Sequence, residues 1–394
     1  MRLALSLASI ALSLLAYTAD AKTIGSDWRL DASINPMWMI PSNPVLRGNN
    51  PEGKRVLGSM GPTLEVSARN LPGTLYSRWY PGARQGVGVS VQPTIPNSVL
   101  GTPVLVYALQ SATLGNLDAN TSIEYEWNFG AALGWKSKNH NDTDYDREKD
   151  CVGSPYTAYI NIGVYLRRTL TDNLSIFGGF DLRHYSNGNT KDPNPGLNML
   201  GMRLGASYRL GEKVEGAAHD WSDFEPGVAV DVIGYGTARK WAFHPDGDIN
   251  NQENFIMLPG HYAVVGVNVN PLYRFNPIFA AGVSVDAHYD HGANLGQYRV
   301  AGTPDDNPQF RQPPFRHQYM VGLSARAEAR MALFAINVGV GHSVIAPGGP
   351  DLRGWYNTFV LKTFITDRFF IHTGYRLVHF THQGNLMMGL GIRL

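Results

Sequence analysis

The chain has 394 residues, with 33 Lys and Arg against 32 Asp and Glu and a formal net charge of +1. This balance excludes a basic nucleic-acid binder and an acidic interaction tail. Its single cysteine, Cys151, excludes an intramolecular disulfide and a thiolate metal centre. Charged residues make up 16% of the chain, below the ~25% of ordinary soluble domains. Forty-three glycines and 19 tyrosines accompany a slightly polar mean hydropathy. That combination points to an all-β fold, a transmembrane antiparallel β-barrel.

The elements follow in chain order. Arg2 precedes the apolar stretch Leu3–Tyr17, and Ala19-Asp20-Ala21 has the small-x-small form of a cleavage site. Residues 1–21 therefore read as a signal peptide, and the mature chain starts near Lys22. The apolar stretch is shorter than the roughly 20 residues of a helical span. After it, the pattern is alternation. Strands are predicted at Trp28–Ile40, Pro62–Ala68, Gly86–Pro93, Pro103–Thr113, Ser122–Trp135, Tyr156–Arg168, Leu174–Ser186 and Leu197–Leu210. They continue at Gly227–Ala238, Tyr262–Arg274, Ile278–Asp290, Gln318–Ala329, Leu333–Val344, Trp355–Ile365, Phe369–Phe380 and Leu386–Leu394. The last is the clearest, with Leu386, Met388, Leu390, Ile392 and Leu394 on one face at the period of two that a strand requires. Twelve to sixteen strands are expected.

Short turns at Thr171-Asp172-Asn173, Phe275-Asn276-Pro277 and Thr366-Asp367 alternate with long polar stretches at Pro41–Ser59, Lys136–Pro155, Thr237–Glu253 and Gly292–Arg316. In an outer-membrane barrel the long loops face outward and the termini face the periplasm. The acidic run Asp142–Asp150 is expected to be a solvated loop. The segment from Phe180 to Leu204 is echoed from Tyr375 to Ile392, with His379 and Thr381 where the first half has His184 and Ser186. An eight-stranded unit duplicated in this way could form one wide barrel or two narrow ones. One barrel is the expectation, and the second His-x-Thr is expected to be a remnant.

One constellation carries chemistry. On Leu174–Ser186 the even positions are apolar as far as His184 and Ser186, while Asp181 and Arg183 lie on the other face. The apolar row is the lipid-facing one, so His184 and Ser186 point outward at the strand top, with Cα atoms ~7 Å apart. Asn198 opens the apolar row of the neighbouring strand. A nucleophile, a base and a group that could orient the base thus converge at the membrane interface. Polar residues at strand tops beside headgroups are also common without any such role.

His184-Tyr185-Ser186-Asn187 followed by Pro193-Asn194-x-Gly196 resembles the signature of the PagL-type lipid A 3-O-deacylases. The longer pattern resembles their acyloxyacyl hydrolase-like relatives. The likeness covers residues 22–210, and residues 211–394 would be additional strands of the barrel. It implies an outer-membrane esterase acting on lipid A within lipopolysaccharide, with Ser186 as nucleophile, His184 as base, and Asn187 and Asn194 as oxyanion donors or supports. The family's acid position falls on Asn198, an amide. Asp192, in the intervening loop, is the alternative partner for His184. No cofactor, metal or nucleic acid is implied, and nothing sets an oligomeric state. The competing expectation is a porin-like or structural barrel in which the polar trio is incidental.

Overall fold

In the computed structural model, residues 24–50, 52–70, 74–137, 152–191, 193–210, 220–245, 255–305, 307–380 and 382–394 are described. The predicted signal peptide, the acidic run, Cys151, Asp192 and Thr381 lie outside them. Alternating apolar and polar residues produce sixteen long strands, one for each predicted segment. The first eight are β1 (Ile24–Met39), β2 (Gly58–Asn70), β3 (Arg84–Val91), β4 (Gly101–Asp118), β5 (Thr121–Trp135), β6 (Tyr156–Thr169), β7 (Leu174–Ser186) and β8 (Leu197–Leu210). The second eight are β9 (Gly227–Arg239), β10 (Tyr262–Arg274), β11 (Phe279–Asp290), β12 (Tyr319–Met331), β13 (Phe334–Ile345), β14 (Trp355–Phe364), β15 (Phe369–Val378) and β16 (His382–Arg393).

The expectation of a single wide barrel is corrected by how the strands close. β1 pairs with β2 on one side and with β8 on the other, from Trp28↔Leu210 to Met39↔Met199. This seals a first ring of eight antiparallel strands. β9 pairs with β16 from Asp231↔Arg393 to Gly236↔Met388, sealing a second. The chain accordingly divides into two units, each a complete eight-stranded barrel. Closure pairs the first and last strands of each ring, as a membrane requires of β-structure.

Short turns are set by side chains that stand in for backbone acceptors. Asn276 Oδ1 accepts from the N–H groups of Ile278 and Phe279 at 2.9 and 2.8 Å. Thr366 Oγ1 does the same for Arg368 and Phe369, and Thr171 Oγ1 for Leu174. The predicted strand Phe369–Phe380 stops earlier, at Val378. His379 and Phe380 take positive φ values of 50° and 64°, so regular strand geometry ends before His379.

In the first barrel the outward rows are apolar, and the inward rows carry charged and polar residues beside an aromatic and apolar cluster. On β7, Ile176, Phe180 and Leu182 are exposed while Asp181 and Arg183 are buried. The lumen is filled. Arg203 reaches Glu65 and Glu126 at 2.8 Å each and Asp181 at 3.0 Å. A second layer joins Arg29 to Asp31 and Glu124, and Arg167 to Glu124. Such charges are costly to bury unless paired, and these are paired. Between β1 and β2 a one-turn helix, Pro44–Arg47, is capped by Asn43, whose Oδ1 accepts from Leu46 N at 3.0 Å. It packs Val45 and Leu46 into an apolar cluster with Leu100, Trp135 and Tyr185.

The second barrel has its own polar interior. Lys362 pairs with Asp231 and Glu328, and Arg393 pairs with the same two carboxylates. Asp286 accepts from Ser324, Arg326 and Tyr356.

Candidate functional site

The site is built where β7 ends and β8 begins, at the end of the first barrel that carries the long β1–β2 and β5–β6 connections. Along β7 burial alternates, so His184 and Ser186 share the outward face with Phe180 and Leu182, and Tyr185 points inward. Tyr185 is fully buried, meeting Trp135 edge-on at 5.1 Å and Tyr159 at 5.5 Å between ring centroids. The strand top is thus anchored from inside while its outer face carries the polar groups.

Antiparallel register places His184 opposite Asn198. Their side chains meet, His184 Nδ1 to Asn198 Oδ1, at 2.8 Å. An amide oxygen can only accept, so Nδ1 is the protonated nitrogen of this pair and the ring's lone pair is on Nε2. Gly196 lies against the same imidazole. Its φ is +73°, and a Cβ there would stand 3.0 Å from His184 Cε1. A glycine is needed both for the left-handed backbone and for the close approach of the ring.

Ser186 meets a different partner. Asn194 Oδ1 accepts from the Asn187 backbone N–H at 3.0 Å. That bond turns the amide so that Nδ2 donates to Ser186 Oγ at 3.0 Å. The Ser186 hydroxyl in turn lies 3.3 Å from Asn194 Oδ1. His184 thus pairs with Asn198, and Ser186 with Asn194. A bond between His184 and Ser186 is not among the hydrogen bonds of the described residues, although the two share a face at adjacent outward positions. The alternation of the sequence placed His184, Ser186 and Asn198 at this strand top, the family resemblance added Asn187 and Asn194, and neither gave a role to Gly196. Its spacing after Pro193-Asn194 was the available signal. Asn187 contributes its N–H to fixing Asn194. Among the described residues no group of three His, Cys, Asp or Glu is placed to hold a metal ion.

Comparison with known proteins bears on the same two barrels. The family of lipid A 3-O-deacylases (PagL) matches residues 25–207, and the acyloxyacyl hydrolase C-terminal domain matches residues 229–394. No curated protein matches the chain. Solved structures that align with it include the toluene transporter TodX of Pseudomonas putida, at 9% identity and a TM-score of 0.18, covering 94% of this chain and 87% of that one. The ferric enterobactin receptor of Pseudomonas aeruginosa aligns at 11% identity and a TM-score of 0.23, covering 90% and 54%. A mutant of Rh. blastica porin aligns at 7% identity and a TM-score of 0.17, covering 93% and 99%. With both barrels matched, one by each family description, the chain belongs to the PagL lipid A 3-O-deacylase family of outer-membrane β-barrels, in the form that carries an acyloxyacyl hydrolase C-terminal domain.

Proposed function

We propose that the protein removes an ester-linked acyl chain from lipid A through Ser186, with His184 as general base and Asn198 as the group that orients it. The observation that carries this reading is the 2.8 Å pair between His184 Nδ1 and Asn198 Oδ1 on the lipid-facing row that also bears Ser186. It leaves Nε2 as the basic nitrogen, one outward position below the Ser186 hydroxyl. Hydrogen bonds between a nucleophile and its base are often loose without substrate and tighten when it binds.

In this mechanism Ser186 Oγ attacks the ester carbonyl carbon as its proton passes to His184 Nε2. The negative charge that develops on the carbonyl oxygen accepts from Asn194 Nδ2–H, a donor already aimed by the Asn187 N–H. One such donor is typically worth about 3 kcal/mol of barrier. Collapse breaks the bond to the sugar oxygen, which takes the proton from His184. A water deprotonated by His184 then hydrolyses the acyl-serine, releasing the fatty acid. The outward position suits the substrate, because the scissile ester of lipid A lies at the boundary of headgroup and acyl chain. Delivery to the outer membrane would use residues 1–21 as the cleaved leader.

The porin-like alternative needs an open lumen. The ion-paired layers around Arg203 and Arg29 and the apolar cap at Leu46 favour the esterase reading over it.

The test is release of fatty acid from purified lipopolysaccharide by folded protein in detergent. Ser186→Ala and His184→Ala are expected to lower turnover by about a thousandfold or more, as for loss of either member of such a pair. Both variants should keep the heat-modifiable mobility of a closed barrel. Wild-type turnover in Ser186→Ala would remove Ser186 as the nucleophile.

A further inference from the structure

The outward face of β7 continues down from Ser186 and His184 through Leu182 and Phe180 to Gly178, and register sets Leu200, Met202 and Leu204 beside those three on β8. This is an apolar track that starts at the nucleophile and runs toward the middle of the membrane. Along it the relief is uneven. Phe180 is 63% exposed, more than Leu182 at 48% or any other apolar side chain of β7. Immediately below, Gly178 has no side chain, and Leu204 leans across its place, where a Cβ would lie 2.9 Å from Leu204 Cδ2. The Phe180 ring therefore stands out furthest on its strand, directly above a position without a side chain.

Its depth matters. Phe180 lies six positions before Ser186, about 20 Å along the strand, comparable to a long extended acyl chain whose carbonyl is held at Ser186. Lipid is as apolar as leucine, so moving a chain from lipid onto the barrel gains little by transfer. Discrimination between chains must then come from shape. A shorter chain lies against Leu182 and Leu200 without reaching the ring. A longer one meets the ring edge and must leave the track.

Resting on the reading of Ser186 as nucleophile, we infer that Phe180 sets the acyl-chain length the site prefers, as a steric stop at the membrane end of the track. It touches the far end of the substrate and takes no part in bond making. Its effect belongs in the ratio of rates between chain lengths.

The experiment uses the full-length protein in detergent with synthetic lipid A analogues that differ only in the length of the cleaved acyl group. kcat/KM is measured for a long and a short chain. Phe180→Ala is expected to raise the long-to-short ratio about three- to tenfold, the modest size that packing against lipid allows, and Phe180→Trp to lower it. Val283→Ala, at an exposed position of the second barrel, should leave the ratio at the wild-type value. An unchanged ratio in both Phe180 variants, with activity retained, overturns the inference and leaves the nucleophile reading standing. Equal loss of activity on both chains in folded Phe180→Ala also overturns it. Should the alanine variant fail to fold, Phe180→Leu decides by the same ratio. Cleavage of the analogues by Ser186→Ala protein would defeat the nucleophile reading, and the inference with it.

Discussion

Asn198 is the position at which the site departs from the acid the family resemblance implies. A carboxylate would both fix the His184 tautomer and stabilise the imidazolium, whereas an amide does only the first. In serine proteases the corresponding loss of charge costs about 10⁴ in turnover. Asn198→Glu is therefore expected to keep or raise kcat, and Asn198→Leu to lower it strongly, because leucine cannot accept from Nδ1–H. If Asp192 supplies the charge instead, Asp192→Asn becomes the severe variant and Asn198→Leu the mild one. Fatty-acid release by the three purified variants separates these outcomes. Gly196→Ala should also lower kcat, by about tenfold, since it strains a left-handed backbone and crowds His184 Cε1 at 3.0 Å. Ser186, His184 and Asn198 were legible as a cluster, since a period of two assigns side chains to faces; Asn187 and Asn194 came from the family resemblance alone. The contact of Ser186 with Asn194 was not, because it depends on how the loop before β8 folds back.

At the scale of the element, the decisive contrast is between the two faces of β7. Outside it carries His184 and Ser186; inside, Tyr185 fills the aromatic cluster with Trp135 and Tyr159. Tyr185→Ala should leave a cavity there and cost about 3 kcal/mol of stability, read as a lower midpoint in detergent unfolding. Turnover should fall as well, because the strand top that positions both catalytic candidates loses its anchor. Tyr185→Phe should restore both, since the ring supplies the packing. The sixteen strands and the alternation of short and long connections were readable, because each hairpin is specified locally by alternation and by turn residues such as Asn276 and Thr366. What joins the ends was not readable. The pairings of Trp28 with Leu210 and of Asp231 with Arg393 span most of each unit, and no local pattern distinguishes them from a sixteen-stranded closure. His379 illustrates the same limit. The echo with His184 is real as a sequence pattern, yet β15 ends one residue before it.

At the scale of the whole molecule, both lumens are occupied by side chains. The first barrel stacks ion-paired layers beneath an apolar cap, and the second carries Lys362 and Arg393 between Asp231 and Glu328. Protein reconstituted into planar bilayers should add no steady ionic conductance, and a stable open channel would restore the porin-like reading. Lys362→Met should destabilise the protein by roughly 3–5 kcal/mol, because two buried carboxylates would share Arg393 alone. Its expected signature is a lower unfolding midpoint.

Mass spectrometry of lipid A from cells expressing the wild-type protein, beside cells expressing Ser186→Ala at equal abundance in the outer membrane, addresses the catalytic assignment at its source. The wild-type spectrum should gain a lipid A species lighter by one ester-linked acyl chain, and the Ser186→Ala spectrum should lack it. The same lighter species in both spectra, or in neither, would contradict deacylation through Ser186.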